Sequence, residues 1–297
     1  MGKLVEKYGV PPFSVLNSRL GYWQERKRYW KNEKKCADIL GRNEYALTGA
    51  TTEKTYGRII NGKNQVAVEV SIFDPVLAEI SYRWFCPAGG KILDPFAGGA
   101  VRGIVAETLG YNYHGIDLSE RQISGNLENC KNAGVSPKYI CDDSLNLDKH
   151  FENDTFDFIF SCPPYFDLEK YSDDKRDLSN MSYDDFLKAY QEIIFKACKK
   201  LKENRFACFV VGDIRDKKGF YRDFIGETKA AFFNTGLKLY NEMILVESCA
   251  SAPLRCQIAF DSNRKITKTH QNILVFYKGD PKKIKAAFGN DGLQEVA

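Results

Sequence analysis

Long apolar runs are missing from this 297-residue sequence. Its longest, such as 206–211, are strand-sized and fall far short of the roughly 20 residues that a membrane span needs. The opening MGKLVEKYGV has no apolar signal core, so the expected location is the cytoplasm. Histidine is scarce, with three residues, and the nine cysteines form no Cys-x-x-Cys pair. That argues against a structural zinc site and a disulfide framework, and for a reducing compartment with no metal. There are no repeats or low-complexity tracts. A strong excess of one charge is also lacking, the total being +4. What is present, 43% hydrophobic and 28% charged residues, is the composition of a folded globular chain.

The charge is unevenly placed. Residues 1–35 hold nine bases against three acids, a net +6, which leaves −2 for the rest. The bases Arg26, Lys27 and Arg28 sit among Tyr22, Trp23, Tyr29 and Trp30. A basic, aromatic-rich segment of this kind holds phosphates and stacks on bases. Equally, Trp23 and Trp30 share one face of a helix near 20–37 and fit as core anchors. Residues 1–70 therefore read as a small N-terminal helical extension, 71–285 as the main domain with an insertion at 249–268, and 286–297 as a tail.

Within the main domain strands and helices alternate. Asp74-Pro75 caps a helix, and strands follow at 91–93, 113–116, 138–141, 156–160 and 206–211, with helices between them. This predicts an α/β fold of Rossmann-like type, a mostly parallel sheet with helices on both faces. Two late strands, 237–246 and 272–277, show no obvious helix between them and predict an antiparallel pair at one edge.

Two segments carry chemistry. After the first strand, DPFAGGAVRG forms a tight glycine turn into a helix, which admits a ligand close to the backbone. Asp117, 19 residues beyond Gly98, ends the next strand where an acid accepts ribose hydroxyls. Ala100 stands where a strict dinucleotide fingerprint has glycine. Further on, the buried strand 156–160 runs into SCPPYF. The rigid Pro163-Pro164 pair frees a carbonyl to act as acceptor, and Tyr165 offers a stacking face. That combination suits an exocyclic amino group on a base turned out of its helix. Each segment has a plainer reading, as a turn that serves packing alone.

DPFAGGA and SCPPY together resemble the cofactor loop and catalytic motif of the DNA amino-methyltransferases. Longer stretches, including PPFSVLNSRLGYWQERKRYW, RFACFVVGDIRD and KTHQNILVFYKGD, resemble phage and prophage DNA modification methylases, and the likeness spans most of residues 8–282. It implies a Rossmann-like methyltransferase sheet and S-adenosylmethionine as cofactor. Double-stranded DNA would be the substrate, methylated at adenine N6 in slight preference to cytosine N4, in a bacterial or phage-infected cell, with restriction-modification as the setting. A homodimer is compatible.

Carried over by position, Ser71, Phe73 and Asp74 would lie near the methionine end of the cofactor. Asp94, Pro95, Phe96, Ala97 and Gly98 would line it, Asp117 and Leu118 would hold the nucleoside, and Asp143 with Ser144 would face the adenine. Ser161, Cys162, Pro163, Pro164 and Tyr165 would form the catalytic segment. Cys162 departs from the usual Asp, Asn or Ser, and a thiol accepts hydrogen bonds more weakly. The resemblance would thus leave more of the orienting to the Pro163 carbonyl, with Ser161 as helper. A nucleophilic Cys162 is the minor alternative. The loop after SCPPYF, with Glu169, Tyr171 and Asp173, reads as a flap, and Asp213 and Arg215 face the same cleft. Arg255, Arg264, Lys265 and Lys268 join Arg26, Lys27 and Arg28 as DNA contacts, the plainer reading being ordinary basic surface. Two other functions stay open: an RNA base methyltransferase, and a cofactor-binding protein without turnover.

Overall fold

The computed structural model describes residues 2–36, 72–166, 174–247 and 252–288. Among the described residues eight strands form one sheet: β1 (Val15–Asn17), β2 (Lys91–Asp94), β3 (Asn112–Asp117), β4 (Lys138–Cys141), β5 (Phe156–Ser161), β6 (Leu201–Val211), β7 (Lys238–Val246) and β8 (His270–Lys278). They lie in the order β1-β7-β8-β6-β5-β2-β3-β4. Every pairing is parallel except those of β8, which runs antiparallel to both β6 and β7.

The helices are α1 (Gly2–Tyr8), α2 (Gly21–Asn32), α3 (Pro75–Phe85), α4 (Val101–Thr108), α5 (Glu120–Ala133), α6 (Leu147–His150), α7 (Tyr183–Lys200), α8 (Phe224–Phe233), α9 (Ala252–Asn263) and α10 (Ile284–Phe288). Alternate residues along the central strands feed two cores. Ile92, Phe158, Phe160, Cys208 and Val210 join the first, beneath α2, α3, α4 and α5. Leu93, Ile159, Ala207 and Phe209 join the second, beneath α7 and α8. This two-sided burial is why the strands are apolar on both faces, as parallel strands covered by helices must be.

The antiparallel strand departs from expectation. It is not at the edge, because β8 lies between β6 and β7 and is buried from Ile273 to Tyr277. Its continuous run NILVFY is that of an interior strand. In β7, by contrast, Lys238, Asn241 and Glu242 are exposed, which belongs nearer an edge. The insertion between these strands also contains helix α9, which the sequence did not announce because its apolar residues follow no helical period.

The N-terminal segment departs further, since residues 2–36 are not an appendage. β1 extends the sheet beside β7, and Ser18 donates to the Val246 carbonyl (2.9 Å). Trp23 and Trp30 are buried, the anchor reading of the two offered. Glu79, buried in α3, accepts from Trp30 Nε1 (2.6 Å) and Arg83 (2.9 Å) and is bound bidentately by Arg26. A buried carboxylate is tolerated only when paired and hydrogen-bonded in this way. Arg26 is therefore committed to Glu79, which corrects its expected role on DNA. Lys27 pairs with Asp74 (2.9 Å) while staying largely exposed, and Arg28 is exposed.

Among the described residues no helix is long and apolar enough to cross a membrane, and no group of His, Cys, Asp or Glu is placed to hold a metal ion.

Candidate active site

Strand order reverses between β5 and β2, and ligands in open α/β sheets sit beyond the carboxyl ends of the strands at such a switch. Both chemical segments emerge there: the glycine loop from β2 and Ser161-Cys-Pro-Pro-Tyr from β5.

The loop is held from within. Gly98 is left-handed (φ +50°), and its N–H donates to Asp117 Oδ2 (2.9 Å) while Asn126 donates to its carbonyl (2.7 Å). Ser144 donates to the Pro95 carbonyl (2.6 Å). Arg102 donates to the carbonyls of Phe96 (2.6 Å) and Ala97 (2.8 Å), and its Nε to Asp94 Oδ2 (2.5 Å). Four successive carbonyls are thus turned into the protein. Gly115 in β3 is needed for this packing, because a Cβ there would lie 2.8 Å from that of Ala97.

Asp94 is the hub. It is fully buried and accepts from Arg102, from Tyr113 Oη (2.7 Å), from Ser161 Oγ (2.5 Å) and from the Phe96 N–H (3.2 Å). Burial alone would lower the pKa of Arg102, but Asp94 and Tyr113 overcome that and raise it, so the guanidinium is charged at every ordinary pH. Burial pushes Tyr113 well up, so it remains a neutral donor.

Several expected roles change accordingly. Asp94, Pro95 and Ala97 lie beneath the cleft, and of the loop residues Phe96 and Gly98 are the partly exposed ones. Ser161 is fully buried with its hydroxyl on Asp94, so it is not free to help at a base but ties the Pro-Pro-Tyr segment to the glycine loop. Ser144 is buried and braces Pro95 rather than facing a ligand. Asp143 is half-buried and caps its own turn by accepting from the Leu145 N–H (2.8 Å). Asp74 caps α3 through the Val76 N–H (2.9 Å) and also accepts from Trp23 Nε1 (3.3 Å). Phe73 is half-buried, with its ring under Arg102 (4.9 Å).

In the segment expected to be catalytic Pro163 is buried, while Cys162, Pro164 and Tyr165 are partly exposed. Cys162 Sγ lies 3.9 Å from Tyr165 Oη. The Tyr165 ring meets Phe224 edge-on (6.3 Å), and a Cβ on Gly212 at the end of β6 would lie 3.8 Å from it. The next residue, Phe166, is left-handed (φ +50°) and packs on Tyr183 (5.2 Å) and Phe186 (5.4 Å). A left-handed aromatic residue is held there by its surroundings, and it turns the chain immediately after Tyr165.

Ser71, the flap residues Glu169, Tyr171 and Asp173, and the Arg255 side chain lie outside the described residues. Arg264 is exposed, with its guanidinium over Phe260 (5.1 Å), whereas Lys265 and Lys268 are half-buried. Lys268 donates to Asn272 (3.3 Å), and burial lowers its pKa. Sequence reasoning missed Arg102, Tyr113 and Asn126 as loop supports. A buried-polar signal existed only for Arg102, which sits in the first turn after the glycines.

Residues 156–293 match the family model described as DNA methylase. No curated protein is similar enough in sequence to match. Among solved structures the chain is similar to TrmN from Thermus thermophilus, at 17% identity over 69% of this chain and 49% of that one, with a TM-score of 0.47. It is similar to a SAM-dependent methyltransferase from Methanosarcina mazei, at 12% identity over 65% and 94%, TM-score 0.45. It is also similar to magnesium protoporphyrin IX methyltransferase from Synechocystis PCC 6803, with SAM bound there, at 10% over 65% and 71%, TM-score 0.39. The chain thus spans about half the length of TrmN.

Proposed function

With residues 156–293 matching the DNA methylase family, we propose that this chain moves a methyl group from S-adenosylmethionine to an exocyclic amino group of a DNA base, adenine N6 in slight preference to cytosine N4. The observation that carries the reading is that one buried carboxylate, that of Asp94, joins the glycine loop to Ser161 and so to Cys162-Pro-Pro-Tyr.

The residues suit the cofactor. Gly98 offers a left-handed turn at the surface of the cleft, Asp117 presents a half-buried carboxylate at the end of β3, and Phe96 and Leu118 supply apolar contact. When bound, S-adenosylmethionine provides an electrophilic methyl. The chain's own work is on the amino group, whose lone pair is delocalised into the base and attacks poorly. The Pro163 carbonyl accepts one N–H hydrogen bond and the Cys162 sulfur a weaker one, which draws the nitrogen toward tetrahedral geometry and frees its lone pair. Tyr165 stacks on the base, its ring fixed by Phe224. Holding the reactants in line supplies much of the acceleration.

The test is tritiated-methyl transfer to unmethylated duplex DNA and to RNA, followed by sequencing for modified bases. Transfer to DNA amino groups supports the reading. Transfer to RNA alone, or cofactor binding with transfer to neither, refutes it.

A further inference from the structure

The segment that follows β6 takes no part in the site above, and its build is unusual. Residues 214–222 form a small hairpin in which Arg215 bridges Tyr221, and the Arg222 N–H donates to the Ile214 carbonyl (2.9 Å). Asp216 locks the turn: its carboxylate accepts from the N–H groups of Lys218 (2.9 Å) and Phe220 (2.9 Å), and Gly219 is left-handed (φ +95°). Those N–H bonds outweigh the small effect of burial and hold the Asp216 carboxyl below its ordinary pKa. Arg215 stacks over Tyr221 (3.8 Å) and donates to the Gly219 carbonyl (2.7 Å).

This framework presents Phe220 to solvent, 70% exposed, in the same turn as exposed Lys217 and Lys218. A single exposed apolar side chain is common on protein surfaces, but this one is held out by an internally bonded turn and shares it with two exposed lysines. Lys265 adds to the charge, since a Cβ on Gly219 would lie 2.7 Å from its Nζ. The base of the hairpin is fastened to the catalytic segment, because the Arg222 guanidinium lies over Tyr183 (4.1 Å) and Phe166 (5.3 Å). The hairpin therefore stands at the carboxyl edge of the sheet, in fixed relation to Tyr165.

We propose that this hairpin is a wedge for duplex DNA: Phe220 enters the base stack beside the target, while Arg215, Lys217 and Lys218 contact phosphates. The inference rests on the base-methylation reading, which requires a base to leave its helix. Unstacking that base costs free energy, and apolar side chains inserted between base steps offset it. Lys217, Lys218 and Lys265, on or against the same turn, supply the positive charge that the phosphates beside such a step attract.

The experiment uses the full chain and a fluorescein-labelled 30-base-pair duplex of mixed sequence, intact or with one central abasic site, followed by anisotropy. An abasic site offers the ring a place without unstacking. Wild type is expected to prefer the abasic duplex about ten-fold, the scale of one aromatic stack. Phe220→Ala should abolish that preference and Phe220→Trp restore it. Lys217→Ala with Lys218→Ala should weaken both duplexes equally and reduce the slope of log affinity against log salt by about 2. Phe220 is so exposed that its replacement leaves the fold intact, which thermal melting checks. A wild type without the preference, or a Phe220→Ala variant that keeps it, overturns the wedge. Methyl transfer is measured separately, so a chain that methylates DNA while failing this test loses the wedge alone.

Discussion

Replacing Arg102 by Met, similar in length and without charge, probes the centre of the site. In the folded chain Arg102 serves Asp94 and two loop carbonyls through one planar group, and only 4% of it is exposed. Removing one partner of a buried pair costs about 3–5 kcal/mol, because the other charge is left uncompensated. Asp94 keeps three donors after the change, those of Tyr113, Ser161 and Phe96, which places the expected loss near the lower end, at about 3 kcal/mol. The Phe96 and Ala97 carbonyls also lose their donor, so the loop loosens and cofactor affinity falls together with stability. Arg102→Lys should recover only part of both, since an ammonium cannot span a carboxylate and two carbonyls as the guanidinium fork does. Urea unfolding followed by circular dichroism measures the first effect and calorimetric titration with S-adenosylmethionine the second. A loss under about 1 kcal/mol, the scale of one ordinary hydrogen bond, would refute the assignment of Asp94 as a charged hub.

Arg26→Met should destabilise the fold by about 3 kcal/mol, the lower end for a buried pair, since Glu79 loses its bidentate partner and keeps Arg83 and Trp30, and Arg28→Ala should not; paired urea titrations compare them. Asp157 is buried, which alone would raise its carboxyl, but the Lys91 N–H (3.0 Å), Lys202 and Arg205 outweigh burial and hold it low. Its contribution is therefore complete above the ordinary value of about 3.9 and is lost as pH falls through the depressed folded value. The stability gap between wild type and Asp157→Asn should accordingly shrink between pH 7 and pH 3, and a constant gap in urea midpoints would contradict this. Tyr165→Ala should remove methyl transfer while cofactor binding, read by calorimetry, is kept. Cys162→Ser should retain transfer, and its complete loss would support a nucleophilic cysteine.

Much of the fold was legible because burial on both faces leaves a mark in the chain. The apolar runs of β2, β5 and β6, and the turn chemistry between them, gave the parallel sheet and the switch point. The rank of β8 was legible too, in NILVFY, but an antiparallel pair near the end of a chain reads first as an edge. The N-terminal segment is less legible for a different reason. Its charges are conspicuous in sequence, while the buried acid that claims Arg26 lies 53 residues away. The same limit applied to Asp94, Ser144 and Ser161. Their residue types suit contact with a ligand, and only three-dimensional packing shows that their polar atoms turn inward, to Arg102, Pro95 and each other. Phe220 leaves no mark in the sequence because a single aromatic residue among lysines has no period.

The pairing of β1 with β7 bears on the order in which the chain folds. Val15 meets Ile244 and Ser18 reaches Val246, contacts that span more than two hundred residues. On a ribosome the first strand is made early and its partner late, so it waits while the rest of the sheet is synthesised. Contacts this distant in sequence form slowly. β7 itself reaches the rest of the sheet only through β8, so the first strand has no place in the sheet until both later strands have been made.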